Sequence, residues 1–194
     1  MAVRYHWVTA ITPVSIIFLD MRHSTGHPAS SGRPQPTLRW VFQNIWRILA
    51  FGFGSGLLRP APGTWGTLLA WVLWVPLLQG RSDTVVLAVL VVAFVIGCWA
   101  CKRTGEALGV ADHGGMVWDE IVAFWLVLWL TPNALEAQAV AFVLFRIFDI
   151  TKPQPVRYFD TRLQGGFGVM LDDIIAAVYS LLVMAVLVTF GVFA

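Results

Sequence analysis

Long apolar stretches closed off by short clusters of charged or turn-forming residues set the pattern of this chain. A helix needs roughly 20 apolar residues to cross a bilayer, and uncharged runs of about that size occur at Pro60 to Gly80, Thr84 to Cys101 and Ile174 to Ala194. A fourth apolar region, Ile121 to Phe145, is interrupted by Thr131-Pro132-Asn133 and by Glu136. Proline and the turn-forming asparagine predict a hairpin of two shorter helices there. Either arm is short for a full crossing, which leaves open a re-entrant pair or tilted helices partly covered by protein. The pattern predicts an all-α integral membrane bundle with about four to five membrane-embedded helices.

Composition agrees with that picture. The chain is 58% hydrophobic and 12% charged, with a mean hydropathy of +0.73, well outside the balance of a soluble domain. The net charge of +2 and the scattered basic residues offer no stripe for nucleic acid. The same residues orient the chain. Arg33, Arg39, Arg47 and Arg59 precede the first run, Lys102 and Arg103 follow the second, and Arg157 and Arg162 precede the last, whereas the first opposite loop holds only Arg81 and Asp83. Basic loops favour the cytoplasm, so the N-terminus is expected on that side.

Residues 1–36 read differently. "VTAITPVSIIFL" is too short to span and ends at Asp20, and "RHSTGHPASSGRPQP" is rich in turn formers. A flexible extension, a poor signal peptide or a start placed too early, with Met21 as the alternative, fits this arm. No chemistry is assigned to His6, His23 or His27, and 37–194 is expected to form the membrane domain. Cys98 and Cys101 have CxxC spacing, but without a second ligand pair or a thioredoxin-like context they read as ordinary apolar packing residues.

The candidate chemistry lies in the acids. Asp112, Asp119 and Glu120 precede the hairpin, Asp149 ends it, and Asp172 and Asp173 open the last run. If the second run returns the chain to the cytoplasm and the hairpin goes out and back, all of these acids meet at one face. Adjacent residues on a helix diverge by about 100°, so of Asp119 and Glu120 one is expected to ligate while the other caps or orients. Arg146 and Asp149 are three apart and share a face. Acids in a helix's first turn are favoured by its dipole, which would account for Asp119, Glu120, Asp172 and Asp173 without chemistry. That account fails for Asp149, at a helix C-terminus, where a partner such as Arg146, Lys152 or a metal ion must offset the dipole. Carboxylates without a matching set of Cys or His suit a hard cation, above all Mg²⁺, and with it phosphate.

Two glycine-rich blocks complete the polar set. In "GFGSGLLRPAPGTWGT", Gly52 to Thr67, loop N–H groups, a helix start capped by Thr64 or Thr67, and Arg59 would make a phosphate cradle. Close helix packing through small residues explains the same glycines. In "LQGGFGVMLDDIIAAV", Gly165, Gly166 and Gly168 are expected to form a turn before Asp172. Trp118 is expected to anchor at the bilayer interface, with Trp125 and Trp129 facing lipid or core.

Taken together, "GFGSGLLRPAPGTWGTLLA", "DHGGMVWDEIVAF", "FRIFDITKPQPVRYFD" and "GGFGVMLDDIIAAV" resemble, in order and spacing, the four signature blocks of the phosphatidylglycerophosphatase A family. The resemblance runs from about Leu38 to the C-terminus. It implies a bacterial inner-membrane, Mg²⁺-dependent lipid phosphatase that converts phosphatidylglycerophosphate to phosphatidylglycerol, with its active face cytoplasmic. The family pattern carries over to Asp119 and Glu120, to Arg146, Asp149, Lys152 and Pro153, to Asp172 and Asp173, and to Gly54, Gly56, Pro62, Gly63, Thr64 and Gly66. The chain departs from it at Ala123, where glycine is usual, and His113 matches only part of the family.

On this reading Glu120, Asp149, Asp172 and Asp173 hold Mg²⁺, Arg146 and Lys152 clamp the phosphate with the Arg59 loop, and Asp119 joins the catalytic acids. The nucleophile is either water or an aspartate, Asp149 or Asp173. The rival reading is a small transporter or channel that uses the acids as an ion site.

Overall fold

The computed structural model describes residues 36–152 and 165–193, which are helical with turns and contain no strand. Expectations for the arm up to residue 35, and for Pro153, Arg157 and Arg162, fall outside the described residues. Two short helices, α1 (Leu38–Val41) and α2 (Ile45–Ala50), lead through a 3₁₀ segment, Gly52–Leu57, into α3 (Pro62–Leu77). Then come α4 (Asp83–Leu108), α5 (Trp118–Leu130), α6 (Leu135–Thr151) and α7 (Gly166–Thr189).

Helix α5 is central, packed by α3, α4, α6 and α7. Its mean composition explains this, since eleven residues of "WDEIVAFWLVLWL" are hydrophobic, and Ile121 to Phe124 are all buried. A helix that is apolar all round is stable only inside other helices or lipid. At 1.5 Å per residue its 13 residues reach about 20 Å, short of a bilayer core of about 30 Å. By contrast α4, with 26 residues, and α7, with 24, are long and apolar enough to cross a membrane.

The hairpin occurs as expected: α5 ends at Leu130, and Thr131 to Ala134 turn the chain into α6. The expected boundaries differ at two places. Helix α4 continues past Lys102 to Leu108, because its last polar turns face outward, where Arg103 and Glu106 pair at 3.9 Å. Helix α7 begins at Gly166, not near Ile174, so Gly166 and Gly168 are helical and not in a turn. Asp172 and Asp173 therefore lie in its second turn, beyond the first-turn N–H groups that favour an acid.

Small residues set how closely the helices approach. A Cβ on Gly166 would overlap the backbone of α4 at Cys98 and Lys102, and one on Gly97 would overlap Met170 and Trp118. Likewise Gly56 packs against the backbone of Gly115, and Gly66 against Val117. The loop before α5 is tied down where Val117 N–H donates to the Ala50 carbonyl at 2.8 Å.

The tryptophans serve this packing. Trp118 is buried and donates to the Ala93 carbonyl at 3.0 Å, which corrects the expected interfacial anchor. Trp125 is buried as well, donating to the Ala70 carbonyl at 2.9 Å. Both satisfy a carbonyl on a neighbouring helix while burying a large ring. At the far end of the bundle Trp129 donates to Asp83, and Trp71, Gln138, Asn133 and Gln79 form a hydrogen-bonded chain.

Candidate active site

The helix directions bring the start of α3, the end of α4, the start of α5, the end of α6 and the start of α7 to one end of the bundle. There the acids of separate sequence blocks meet. One carboxylate oxygen each from Asp119, Glu120 and Asp173 lies within 4.8 Å of the others. Asp119 and Asp173 are buried, and the Glu120 side chain is 12% exposed.

Asp119 turns one oxygen back on the backbone, Oδ1 accepting the Glu120 N–H at 3.1 Å, yet still contributes to the cluster. The two neighbours thus share one centre without pointing the same way. The pair on α7 divides instead. Asp173 faces Asp119 and Asp149, while Asp172 pairs with Lys152 at the end of α6. Lys152 takes a left-handed conformation, φ 41°, as the residue that closes α6.

Arg146 is the cationic counterpart. Its Nη1 lies 2.6 Å from Asp149 Oδ2 and 3.6 Å from Glu120 Oε1, and donates to Thr67 Oγ1 at 3.4 Å. The Asp149 carboxylate at a helix C-terminus is therefore offset by the cation one turn before it. Thr67 does not cap α3. The N-cap is Ala61, in a left-handed conformation, and the Thr67 hydroxyl donates to the Gly63 carbonyl at 2.8 Å. Thr67, expected only as a helix cap, reaches the site through Arg146, a contact 79 positions away that its sequence surroundings do not signal.

Gly63 has a spatial reason to be glycine. A Cβ there would overlap Glu120 Oε1 and meet the Arg146 guanidinium at 2.8 Å. The other glycines of that block lie elsewhere. Gly54, at φ 98°, faces Leu38 and Phe42, and Gly56 is a backbone packing contact. Arg59 is exposed and Thr64 half-buried. His113 sits beside the site loop, where its Nδ1 accepts the Gly115 N–H at 3.0 Å and its ring lies against Phe51.

Among the described residues, buried Glu120 Oε2, Asp173 Oδ2 and Arg146 Nε have no hydrogen-bond partner. Buried charged atoms are costly unless something satisfies them. Two acceptor oxygens from a three-carboxylate cluster fit a hard divalent cation, and a guanidinium N–H beside them fits an anion. The cluster brings Asp119 together with the expected Glu120 and Asp173, while Asp149 pairs with Arg146 and Asp172 with Lys152.

Helices of membrane-crossing length around a buried, carboxylate-rich centre with its own guanidinium define a membrane protein built to hold charged groups at one end of the bundle. Residues 48–188 match the family model for Phosphatidylglycerophosphatase A. The chain is 47% identical over 142 residues to the phosphatidylglycerophosphatase A of Haemophilus influenzae, covering 73% of this chain and 87% of that one. It is 42% identical over 143 residues to that of Escherichia coli, covering 73% and 83%. A Bacteroides thetaiotaomicron protein, provisionally described as a phosphatidylinositol-3-phosphatase, is 41% identical over 146 residues, covering 72% and 91%. No solved structure matches. The chain belongs to the phosphatidylglycerophosphatase A family, and it is a phosphatase.

Proposed function

We propose that this protein is the Mg²⁺-dependent phosphatase that hydrolyses the terminal phosphomonoester of phosphatidylglycerophosphate, releasing phosphatidylglycerol and inorganic phosphate at the cytoplasmic face of a bacterial inner membrane. The observation that carries the reading is the Asp119, Glu120 and Asp173 cluster, within 4.8 Å, beside the Arg146 guanidinium. Family membership supplies the substrate. The basic residues at this end of the bundle support the cytoplasmic orientation.

Asp119, Glu120 and Asp173 would hold the cation, with Asp149 and Asp172 as the acids that fix Arg146 and Lys152. Mg²⁺ held by these three acids would supply the positive charge that phosphoryl transfer calls for. Arg146 and Lys152 bind the phosphate. Arg146, held on one edge by Asp149 and Thr67, turns its Nε toward the anion, and positioning of this kind carries most of the work in phosphoryl transfer. Gly63 leaves the room that Glu120 Oε1 and the Arg146 guanidinium occupy, and the exposed Arg59 guides the headgroup from outside, with Thr64 beside the approach.

The nucleophile is water. Its oxygen bonds to phosphorus, the bond from phosphorus to the glycerol oxygen breaks, one of the water's protons passes by way of a nearby carboxylate to the leaving alkoxide, and the other stays on the released hydrogen phosphate. Asp149 is poorly placed to attack, because its carboxylate is engaged by Arg146 at 2.6 Å. Residues 37–194 carry the activity.

Phosphate release by purified protein from phosphatidylglycerophosphate, with phosphatidic acid and phosphatidylinositol 3-phosphate as competitors, tests the substrate. Preference for either competitor would redirect the reading to another lipid phosphate. Trapping of a phosphoaspartate in single turnover would overturn the water step.

A further inference from the structure

The face of α5 that carries Asp119 continues beyond the polar centre. Positions 119, 122, 126 and 129 follow the three- and four-residue spacing that keeps side chains on one side of a helix. Val122, Leu126 and Trp129 form the floor of a groove of about 260 Å³ walled by α4 and α7. Val91 and Phe94 supply one wall and Leu171 and Ile174 the other, and every residue lining the groove is a hydrophobe. The only N–H among them, on Trp129, is turned to Asp83.

Both walls run along their helices toward the end of the bundle that holds the acids. On α4 the stripe of Val91 and Phe94 runs on through Cys98 to Cys101, which lies in the field of Asp119. On α7, Leu171 and Ile174 flank Asp172 and Asp173. From Asp119 to Trp129 the helix advances about 15 Å, half of a hydrocarbon core of about 30 Å. The walls belong to the two helices long enough to cross a membrane, and Val91 at the rim is 55% exposed. The groove therefore opens sideways, at the depth and along the direction of one leaflet's chains.

We propose that this groove holds one acyl chain of the lipid phosphomonoester while its phosphate lies at the Asp119, Glu120 and Asp173 centre. The inference rests on the phosphatase reading and adds a subsite to it. A chain entering from the bilayer leaves one apolar surrounding for another, so the hydrophobic gain is small. What the groove supplies is orientation: it fixes how deep the glycerol backbone rides, and so the distance of the phosphate from the acids.

Two measurements test it. Val91→Trp, which fills the groove from its rim, is expected to lower kcat/KM for a long-chain phosphatidylglycerophosphate about tenfold, the scale of a modest misplacement of the reacting group. It is expected to leave a dibutyryl analogue unchanged, as is Val72→Trp on the exposed face of α3. Equal effects of Val91→Trp on long and short chains, or none on either, would overturn the groove. Independently of any variant, a phosphatidylglycerophosphate carrying a photoreactive group near one chain end is irradiated with the wild-type protein in phosphatidylethanolamine vesicles. Cross-links concentrated at Leu87, Leu126 and Trp129, and lost on adding unlabelled phosphatidylglycerophosphate, are expected. Labels spread over the exposed faces of α4 and α7, or unaffected by that competitor, mean that bulk lipid fills the groove and overturn the proposal. Phosphate release measured in the same vesicles reports on the phosphatase reading separately.

Discussion

Arg146 Nη1 stands 2.6 Å from Asp149 Oδ2, one turn apart at the C-terminal end of α6, and the same guanidinium reaches Glu120 on α5 at 3.6 Å. This arrangement ties the two arms of the hairpin together at the site. It also places an acid at a helix end that would otherwise disfavour it.

Removing either partner leaves the other charge buried, which typically costs about 3 to 5 kcal/mol. Asp149→Asn and Arg146→Ala are each expected to abolish phosphate release and lower the thermal midpoint in detergent. The double variant is expected to be little worse than either single one, by the non-additivity of contacting residues. Arg146→Lys is also expected to fail, because an ammonium that takes the place of Nη1 beside Asp149, Glu120 and Thr67 has no counterpart to the Nε N–H left for the phosphate. Thermal scans together with turnover measurements check all four.

Glycine substitutions separate chemistry from packing. Gly63→Ala places a methyl group on Glu120 and Arg146, so it is expected to cut turnover by about a hundredfold through misplacement of those groups, with the protein still folded. Gly56→Ala, which collides with the Gly115 backbone, is expected to reduce the yield of folded protein instead. Gly54→Ala meets only ordinary contacts at 3.6 Å and is strained by its positive φ, at a cost of about 1 kcal/mol, with activity kept. Specific activity normalised to folded protein checks the three.

Much of this site is legible in the sequence because an acid in an apolar chain must be accounted for. The hairpin follows from Pro132 and Asn133, and the Arg146 and Asp149 pair from their spacing on a helix. Which acid of each neighbouring pair turns inward is not legible, because it depends on the rotation of α5 and α7 against partners distant in sequence. The start of α7 at Gly166 is obscured for a related reason: hydropathy breaks at Asp172 and Asp173, whereas burial lets the helix carry them. Trp118 looks like an interfacial anchor until Gly97 admits its ring against α4. Thr67 has no signal beyond lying one turn after Gly63.

The acids differ in their expected response to Mg²⁺. Asp119→Asn, Glu120→Gln and Asp173→Asn each remove a carboxylate of the proposed cation site, and are expected to raise the Mg²⁺ concentration for half-maximal activity by about 10- to 100-fold, the usual scale for such losses. Asp172→Asn, which removes the carboxylate charge paired with Lys152, is expected to raise KM for the lipid while leaving the Mg²⁺ requirement near that of the native chain. Metal titrations at saturating lipid distinguish the two classes.

Trp125→Phe and Trp118→Phe keep most of the buried ring but remove the second hydrogen bond accepted by the Ala70 or Ala93 carbonyl, which still serves its own helix. Each is expected to lower stability by about 0.5 to 1.5 kcal/mol, the net contribution of one hydrogen bond. Turnover at low temperature is expected to stay close to that of the native protein, which denaturation midpoints and initial rates measure together.

The most direct measurement of the central claim is phosphate release from phosphatidylglycerophosphate by the purified protein as Mg²⁺ is varied, alongside the Asp173→Asn variant in the same lipid. Hydrolysis by the native protein is expected to rise with Mg²⁺ and stop on chelation, and the variant to insert and fold but release almost no phosphate at the Mg²⁺ concentration that half-saturates the native protein. Undiminished release under chelation, or near-native turnover by Asp173→Asn at that concentration, would contradict the metal-assisted reading.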